Sequence, residues 1–130
     1  MLEQSFSHIK GIGSTTETKL WQDNITNWQK LLESKTLPFS KNKSKSLKDS
    51  ILDSIKQLSS NNHRYFYDGL PSNQQWRLFN NFKDKVAYLD IETTGLEASY
   101  AIITTIAIYD GDNIKYYVNG KNLDDFKNDI

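Results

Sequence analysis

Two acidic residues stand two positions apart in the segment YLDIETTGL, residues 88 to 96. The apolar run before them predicts a strand that is buried on both faces. Residues two apart on a strand point to the same side, so Asp90 and Glu92 are expected to project together. A buried or half-buried pair of carboxylates normally requires a cation or a shared proton, and oxygen ligands favour Mg²⁺ or Mn²⁺. The short D-x-E pattern by itself is more typical of two acids that meet solvent at a strand end, and a divalent-metal site is the alternative that the surrounding residues can favour.

The composition limits the classes of protein that need to be considered. The chain has 130 residues, no cysteine, and 16 basic and 16 acidic residues. This length fits one ordinary domain, or a small module followed by part of a larger domain. The lack of cysteine excludes disulfides, a thiolate zinc site and a cysteine nucleophile, and zero net charge argues against a generic polyanion binder. With no visible secretion signal and no apolar stretch long enough to cross a bilayer, we expect a cytoplasmic protein without a membrane partner.

The first 35 residues are rich in signals for helix ends. Ser14 and Glu17 have the spacing of a capping box, and a second possible box begins at Thr26. Asn24 lies between them and is a suitable left-handed helix terminator. Residues 1 to 35 are therefore predicted to form a module of two short helices.

Residues 36 to 84 are predicted to connect this module to the rest of the chain. Residues 36 to 45 predict a loop, Ser46 is the expected cap of a helix with an apolar stripe, and Ser72 begins a shorter helix. A run without acidic residues contains five lysines: Lys35, Lys41, Lys43, Lys45 and Lys48. Such a run is more typical of a solvated linker than of a patch that follows phosphates, and both interpretations stay open. The aromatic segment HRYFYDGL is more typical of core packing than of stacking on single-stranded bases.

From residue 85 onwards the pattern changes from helical to extended. The segments VAYLDIE, AIITTIAIYD and IKYYVNG predict three strands, and DGDN predicts a hairpin turn between the last two. Asn122 is the expected cap of a following helix, with Asp124 and Asp125 near its positive end. The predicted fold class is α+β: an N-terminal helical module, a connector, and a three-stranded antiparallel meander with the start of a helix.

The acidic segment and its surroundings resemble a known family of nucleases. YLDIETTGL, followed by a β-rich strand, a hairpin and a third strand, resembles the first motif of the DEDD (DnaQ-like) 3′–5′ exonucleases. The whole chain is more closely similar to the YprB-type family of ribonuclease H-like exonucleases. The resemblance rests on KGIGSTTETKLWQDNITNWQKLL, LPSNQQWRLFNNFKDKVAYLDIETTGL and ITTIAIYDGDNIKYYVNGKNLDDF. It implies that residues 85 to 130 are the first half of a ribonuclease H-like α/β domain.

The resemblance also implies a two-metal mechanism of phosphodiester hydrolysis. Two Mg²⁺ or Mn²⁺ ions, roughly 4 Å apart, hold the scissile phosphate and lower the pKa of an attacking water. Asp90 would bridge both ions, and Glu92 would bind one ion and help to orient the water. The pocket for the terminal nucleotide would be lined by Thr93, Thr94, Gly95 and Leu96. The implied substrate is the 3′ end of DNA or RNA.

The metal site that the resemblance implies is incomplete before Ile130. The DEDD enzymes need two further aspartates and a His or Tyr general base, all on later motifs. Asp124 and Asp125 are interpreted as charges at a helix start, not as substitutes. We therefore expect this chain alone to be inactive and to require downstream residues, or a partner chain that supplies the missing half.

The segment HIKGIGSTTETKLW resembles the hairpin and second helix of a helix-hairpin-helix motif, which binds DNA. Glycines expose backbone N–H groups there, and a helix N-terminus attracts phosphate. Lys10, Gly11 and Gly13 are the expected phosphate-binding residues, while the negative charge of Glu17 counts against this role. Phosphate binding and plain helix packing stay open as alternatives.

Three hypotheses about function follow from these patterns. The first is a metal-dependent 3′–5′ exonuclease that is complete only with further residues. The second is a non-catalytic nucleic-acid-binding protein that uses the N-terminal hairpin. The third is an inactive truncated fragment.

Overall fold

The chain folds into helices and one small antiparallel sheet. The computed structural model describes residues 1–95, 97 and 99–129. It divides the chain into two compact units, Met1–Lys83 and Asp84–Ile130. This arrangement confirms the α+β class in general terms. Within the described residues, no helix is both long enough and apolar enough to cross a membrane.

The first unit is helical. Its α-helices are α1 (Ser14–Gln22), α2 (Trp28–Glu33), α3 (Lys41–Ser59), α4 (His63–Gly69) and α5 (Phe79–Phe82). Single 3₁₀ segments cover Leu2–Gln4 and Ser72–Leu78, and another, Lys83–Lys85, leads out of the unit. The two predicted segments, 1 to 35 and the connector after it, share one apolar core. Its completely buried side chains are Leu2, Phe6, Leu20, Leu31, Ile51 and Phe66.

The aromatic segment HRYFYDGL contains all of α4 and its C-cap, and Phe66 at its centre belongs to this core. Phe66 is completely buried and its ring stacks on that of Trp28, with 6.0 Å between the centroids. Tyr65 is half-buried against the core, whereas Tyr67 is exposed. The expectation of core packing is thus confirmed for Phe66 and wrong for Tyr67.

The helix ends agree only in part with the predicted caps. Asn24 has φ 63°, so the left-handed terminator is confirmed. The cap of α2 is Asn27, whose side chain accepts a hydrogen bond from the Lys30 amide at 2.8 Å, one residue later than predicted. The box at Ser14 is wrong, because α1 follows Gly13 without a side-chain cap and Glu17 bonds elsewhere.

The predicted loop at residues 36 to 45 is wrong in its second half. Helix α3 begins at Lys41 after Ser40, whose side chain accepts a hydrogen bond from the Lys43 amide at 3.4 Å. Either Ser40 or Ser46 can cap a helix, and lysine is a good helix former, so the earlier start extends α3 by more than a turn. Most of the lysine run is therefore helix surface. Lys48 donates to the carbonyls of Leu32 and Ser34, which lie at the end of α2.

The segment around Trp76 is tighter than the predicted helix. It forms a 3₁₀ helix that follows Pro71, not Ser72, and continues into α5. Trp76 is 60% exposed, while Leu78 and Phe82 are buried in its place. A 3₁₀ helix has three residues per turn, which changes the face that points to the core.

The second unit contains the predicted meander. Strands β1 (Tyr88–Thr93), β2 (Ile103–Tyr109) and β3 (Ile114–Val118) pair antiparallel in the order β1-β2-β3. The hairpin turn is confirmed: Gly111 has φ 107°, and the Asp110 carboxylate accepts from the amides of Asn113 and Asp112. These two hydrogen bonds hold the pKa of Asp110 below its ordinary value. A 3₁₀ turn (Leu123–Asp125) and α6 (Phe126–Asp129) follow β3.

The predicted burial of β1 is wrong. All residues of β1 are exposed, with Leu89 at 54% and Ile91 at 45%, and β1 is at the sheet edge away from β3, where Tyr117 packs on Phe126. Asn122 takes the predicted cap position of the following turn, but its side chain does not cap it. Its amide group instead accepts from the Val118 N–H and donates to the Tyr116 carbonyl, closing the end of β3.

Candidate metal centre and phosphate-binding hairpin

The register of the sheet places Asp90 and Glu92 on one face. Asp90 lies opposite Ala107 and Glu92 opposite Thr105 in the β1–β2 pairing. Successive residues of a strand alternate between faces, so both carboxylates project from the side that also carries Ala107 and Thr105. The common face predicted from the two-residue spacing is present in the fold.

The opposite face of the sheet holds the core of the second unit. Ile106 lies between Ile91 and Tyr117 in the register, and Ile106 and Tyr117 are 3% and 2% exposed. The Tyr117 hydroxyl donates to the Asp129 carboxylate at 2.7 Å, and its ring meets Phe126 edge-on. Burial and this hydrogen bond raise the pKa of Tyr117 to about 12. Helix α6 therefore covers the face that does not carry the acidic pair.

The acidic pair is exposed, which corrects the expectation of a buried or half-buried pair. Helix α6 packs on the other face of the sheet, so water solvates both charges and weakens their repulsion. In the described part of the chain, no three His, Cys, Asp or Glu side chains are close enough together to hold a metal ion. Two carboxylates with oxygen donors still fit Mg²⁺, which proteins often bind through one or two carboxylates with waters and substrate phosphates.

The turn after β1 is held by the two threonines assigned to substrate. The Thr93 hydroxyl donates to the Gly95 carbonyl at 2.7 Å. Thr94 exchanges two hydrogen bonds with Ile102, one through its amide and one through its hydroxyl, each of 3.0 Å. The pairing register shifts between Glu92 and Thr93, and β1 continues to Thr93, which lies opposite Ile103. Leu96, the fourth expected pocket residue, lies outside the described residues.

Gly95 leaves open space at the end of this turn. A Cβ atom added there would meet no heavy atom within 4 Å. The glycine is therefore not required by packing within the described residues, and its backbone is accessible for close approach by another molecule. The pocket role of Thr93, Thr94 and Gly95 stays a prediction.

The hairpin at residues 10 to 13 has an accessible helix start. Gly11 adopts φ 83°, and Gly13 precedes α1 without a side chain to cap it. The first N–H groups of a helix have no partner inside the helix, so they point outward as donors. Lys10 is exposed beside them. The three residues line one shallow cleft of about 450 Å³, which Asp68 also lines.

Glu17 does not present its negative charge to this cleft. The side chain is 2% exposed, and its Oε1 accepts from the amides of Phe6 at 2.6 Å and Ser7 at 3.2 Å. The Arg77 guanidinium completes the site with an ion pair of 3.0 Å. The objection that Glu17 would repel a phosphate is therefore removed, since its charge is buried and paired.

Arg77 is the residue that the sequence did not identify. Its guanidinium lies over the rings of Trp21 and Trp76, with 5.6 and 5.8 Å to the centroids, and also donates to the Ser5 hydroxyl at 2.8 Å. The only local indication of this role in the sequence is the tryptophan directly before it, Trp76. Stacking explains why Trp76 is exposed: its ring covers a charged group and not the core.

His8 is buried and neutral. Its Nε2 shares a hydrogen bond of 2.9 Å with the hydroxyl of Ser54, which also bonds the Tyr65 hydroxyl at 3.3 Å. Burial lowers the pKa of His8 to about 4, and the charge of Glu17 opposes this shift only in part. The side chain is thus enclosed among polar and aromatic groups, and it is unsuited to exchange protons with a substrate in solution.

Comparison of the chain with family models, with curated proteins and with solved structures found no match. Any statement about function therefore depends on the residues and geometry of the two sites described above.

Proposed function

We propose that the chain belongs to the YprB-type ribonuclease H-like proteins and carries the first carboxylates of a metal-dependent 3′–5′ exonuclease. The observation that carries the proposal is the position of the DIETTGL motif. Asp90 and Glu92 share one exposed sheet face, and Gly95, two residues beyond the end of β1, has open space around its Cα atom among the described residues. This exposure supports the proposal because it leaves the carboxylates accessible to another molecule.

Each residue has a separate task in the proposed reaction. Asp90 and Glu92 would hold divalent ions, which supply a hydroxide-like nucleophile and neutralise phosphate charge when bound. Thr93 and Thr94 fix the turn through their hydrogen bonds, and Gly95 leaves room for the sugar and base of the terminal nucleotide. The remaining ligands and the general base would come from residues outside this set, in further sequence or in a partner chain.

The edge position of β1 supports the need for such a completing segment. In a ribonuclease H-like domain a parallel strand pairs beside the strand that carries the first acids. β1 is at the edge of the described sheet and exposes Leu89 and Ile91. An exposed apolar edge strand is a ready template for another strand.

Manganese binding tests this proposal without requiring cleavage. Titration of Mn²⁺, followed by its electron paramagnetic resonance signal, should show a site that Asp90→Ala removes and Glu92→Gln weakens. Asp124→Ala is the matched control, because Asp124 is an exposed acid in the same unit and is not part of the pair. Equal binding by wild-type protein and Asp90→Ala would overturn the site assignment.

The burial of Glu17 favours a second candidate function, which is nucleic-acid binding by the hairpin. With that carboxylate buried against Arg77, the hairpin exposes Lys10, backbone donors and the start of α1, while Asp68 is an acid that lines the same cleft. Binding to single-stranded DNA should weaken steeply with salt and fall in Lys10→Glu. Lys19→Glu, on the exposed surface of the same helix, is the control and should have a smaller effect. A flat salt response would contradict this function.

A further inference from the structure

A second cleft adjoins the hairpin on the side of α3. Its volume is about 230 Å³. The hairpin contributes Lys10, and α3 contributes Lys43, Ser46 and Ser50. The floor is apolar and consists of Ile9, Ile12 and Leu47, which belong to the core of the first unit. The floor is therefore buried, while the two lysines at the rim are exposed.

The charges around this cleft have one sign. Among the described residues that line it, none is acidic. The first turn of α3 also contains no acid, so the positive end of the helix dipole is not offset there. Lys43 carries its ammonium group 4.9 Å from the centroid of the Phe39 ring, a cation–π contact that restrains the side chain near the helix start.

The neighbouring surface of α3 differs from the cleft in charge. Lys45, two residues beyond Lys43, lines another and larger depression of about 540 Å³. Asp49 and Asp53 line that depression too, so acids accompany the charge of Lys45. The two depressions adjoin, since Ser46 and Ser50 line both, but Lys43 and Lys45 line different ones.

We propose that the cleft between Lys10 and Lys43 binds a backbone phosphate of a nucleic-acid strand, next to the phosphate at the hairpin. Lys10 lines both clefts, so two phosphates bound in them would be near neighbours along one strand. Lysine ammonium groups and the Ser46 hydroxyl are donors that phosphate oxygens accept. The proposal rests on the nucleic-acid binding proposed for the hairpin and extends it to a second element, α3.

Paired charge reversals on α3 test the proposal. Anisotropy of a fluorescent single-stranded DNA of about 12 nucleotides is measured over a salt series for wild type, Lys43→Glu and Lys45→Glu. Losing one phosphate contact lowers the slope of log K against log salt by about 0.7, or about fivefold in affinity at about 0.1 M salt. We expect this loss for Lys43→Glu and a clearly smaller change for Lys45→Glu. Lys43→Gln should show an intermediate loss.

The outcomes distinguish phosphate binding in the cleft from nucleic-acid binding by the hairpin. Loss of binding in Lys10→Glu with none in Lys43→Glu leaves the hairpin function standing and overturns the cleft. Equal losses in Lys43→Glu and Lys45→Glu mean a response to net charge alone, which also overturns it. Equally strong competition by an acidic peptide would identify a general anion surface and reject nucleic acid as the ligand. Circular dichroism melts of each variant show whether the helical unit is folded, and Lys43→Gln replaces Lys43→Glu if the reversal unfolds it.

Discussion

Glu17 and the Asp90–Glu92 pair are carboxylates in opposite situations. Glu17 is buried, accepts two backbone hydrogen bonds and is paired with Arg77. Asp90 and Glu92 are exposed on an edge strand. The first arrangement satisfies a charge within the protein, whereas the second leaves two charges solvated by water, where another molecule can reach them. The difference separates an acid that holds the fold together from acids that the fold leaves accessible.

The largest expected effect is the loss of Glu17. Glu17→Ala leaves the Arg77 guanidinium and the amides of Phe6 and Ser7 without their acceptor. Breaking a buried ion pair from one side typically costs about 3 to 5 kcal/mol. We expect a destabilisation of this size in urea denaturation followed by tryptophan fluorescence, which reports on the first unit. Glu3→Ala, at an exposed site, should change the free energy of unfolding by less than about 0.5 kcal/mol.

The pH dependence of stability tests the other buried ionisable group of the first unit. The pKa of His8 is lowered from 6.5 to about 4, so the unfolded chain binds a proton more readily than the folded one. Its contribution is fully present above pH 6.5 and is lost as the pH falls towards 4, at most about 3 kcal/mol. Urea midpoints measured between pH 7 and pH 4 should show this decline, and His8→Gln should flatten it.

The exposed histidine is the control for that experiment. His63 is on the surface at the start of α4, and His63→Gln should leave the decline in place. An unchanged pH dependence in His8→Gln would mean that another group carries the acid sensitivity. Glu17 is the charged neighbour of His8. A variant that combines His8→Gln with Glu17→Gln would then show how much of the acid sensitivity comes from Glu17.

Two isoleucines in the second unit test how much the burial of a side chain differs between β2 and the edge strand β1. Ile91 and Ile106 are cross-strand partners, yet Ile91 is 45% exposed and Ile106 only 3%. Ile106→Ala should cost about 2 to 3 kcal/mol, and Ile91→Ala less than about 1 kcal/mol. Hydrogen exchange of the β2 amides measures both. Equal costs would mean that the edge of β1 is covered in solution.

The features that could be predicted from the sequence are local. The DGDN turn is closed by its own Asp110 carboxylate, and the alternation of β1 fixes which residues share a face with Asp90. The Glu17–Arg77 pair could not be predicted, because its members are 60 residues apart and each has a plausible local role. The start of α3 was ambiguous because Ser40 and Ser46 are both suitable caps. The exposure of β1 could not be predicted, because an apolar run indicates which side chains a strand can bury and does not indicate whether another element covers them.

The smallest expected effect on stability comes from the acidic pair itself. Asp90→Asn removes a charge that is solvated and repelled by Glu92, so the urea midpoint should stay the same or rise slightly without metal. Glu17→Gln makes the same chemical change at the buried site and should lower the midpoint clearly, because Arg77 loses its counter-charge. Added Mn²⁺ should stabilise the wild-type second unit against exchange and have no such effect on Asp90→Asn. Stabilisation of both proteins by Mn²⁺ would place the metal elsewhere, and the proposed contrast between a structural acid and a metal-binding pair would then no longer hold.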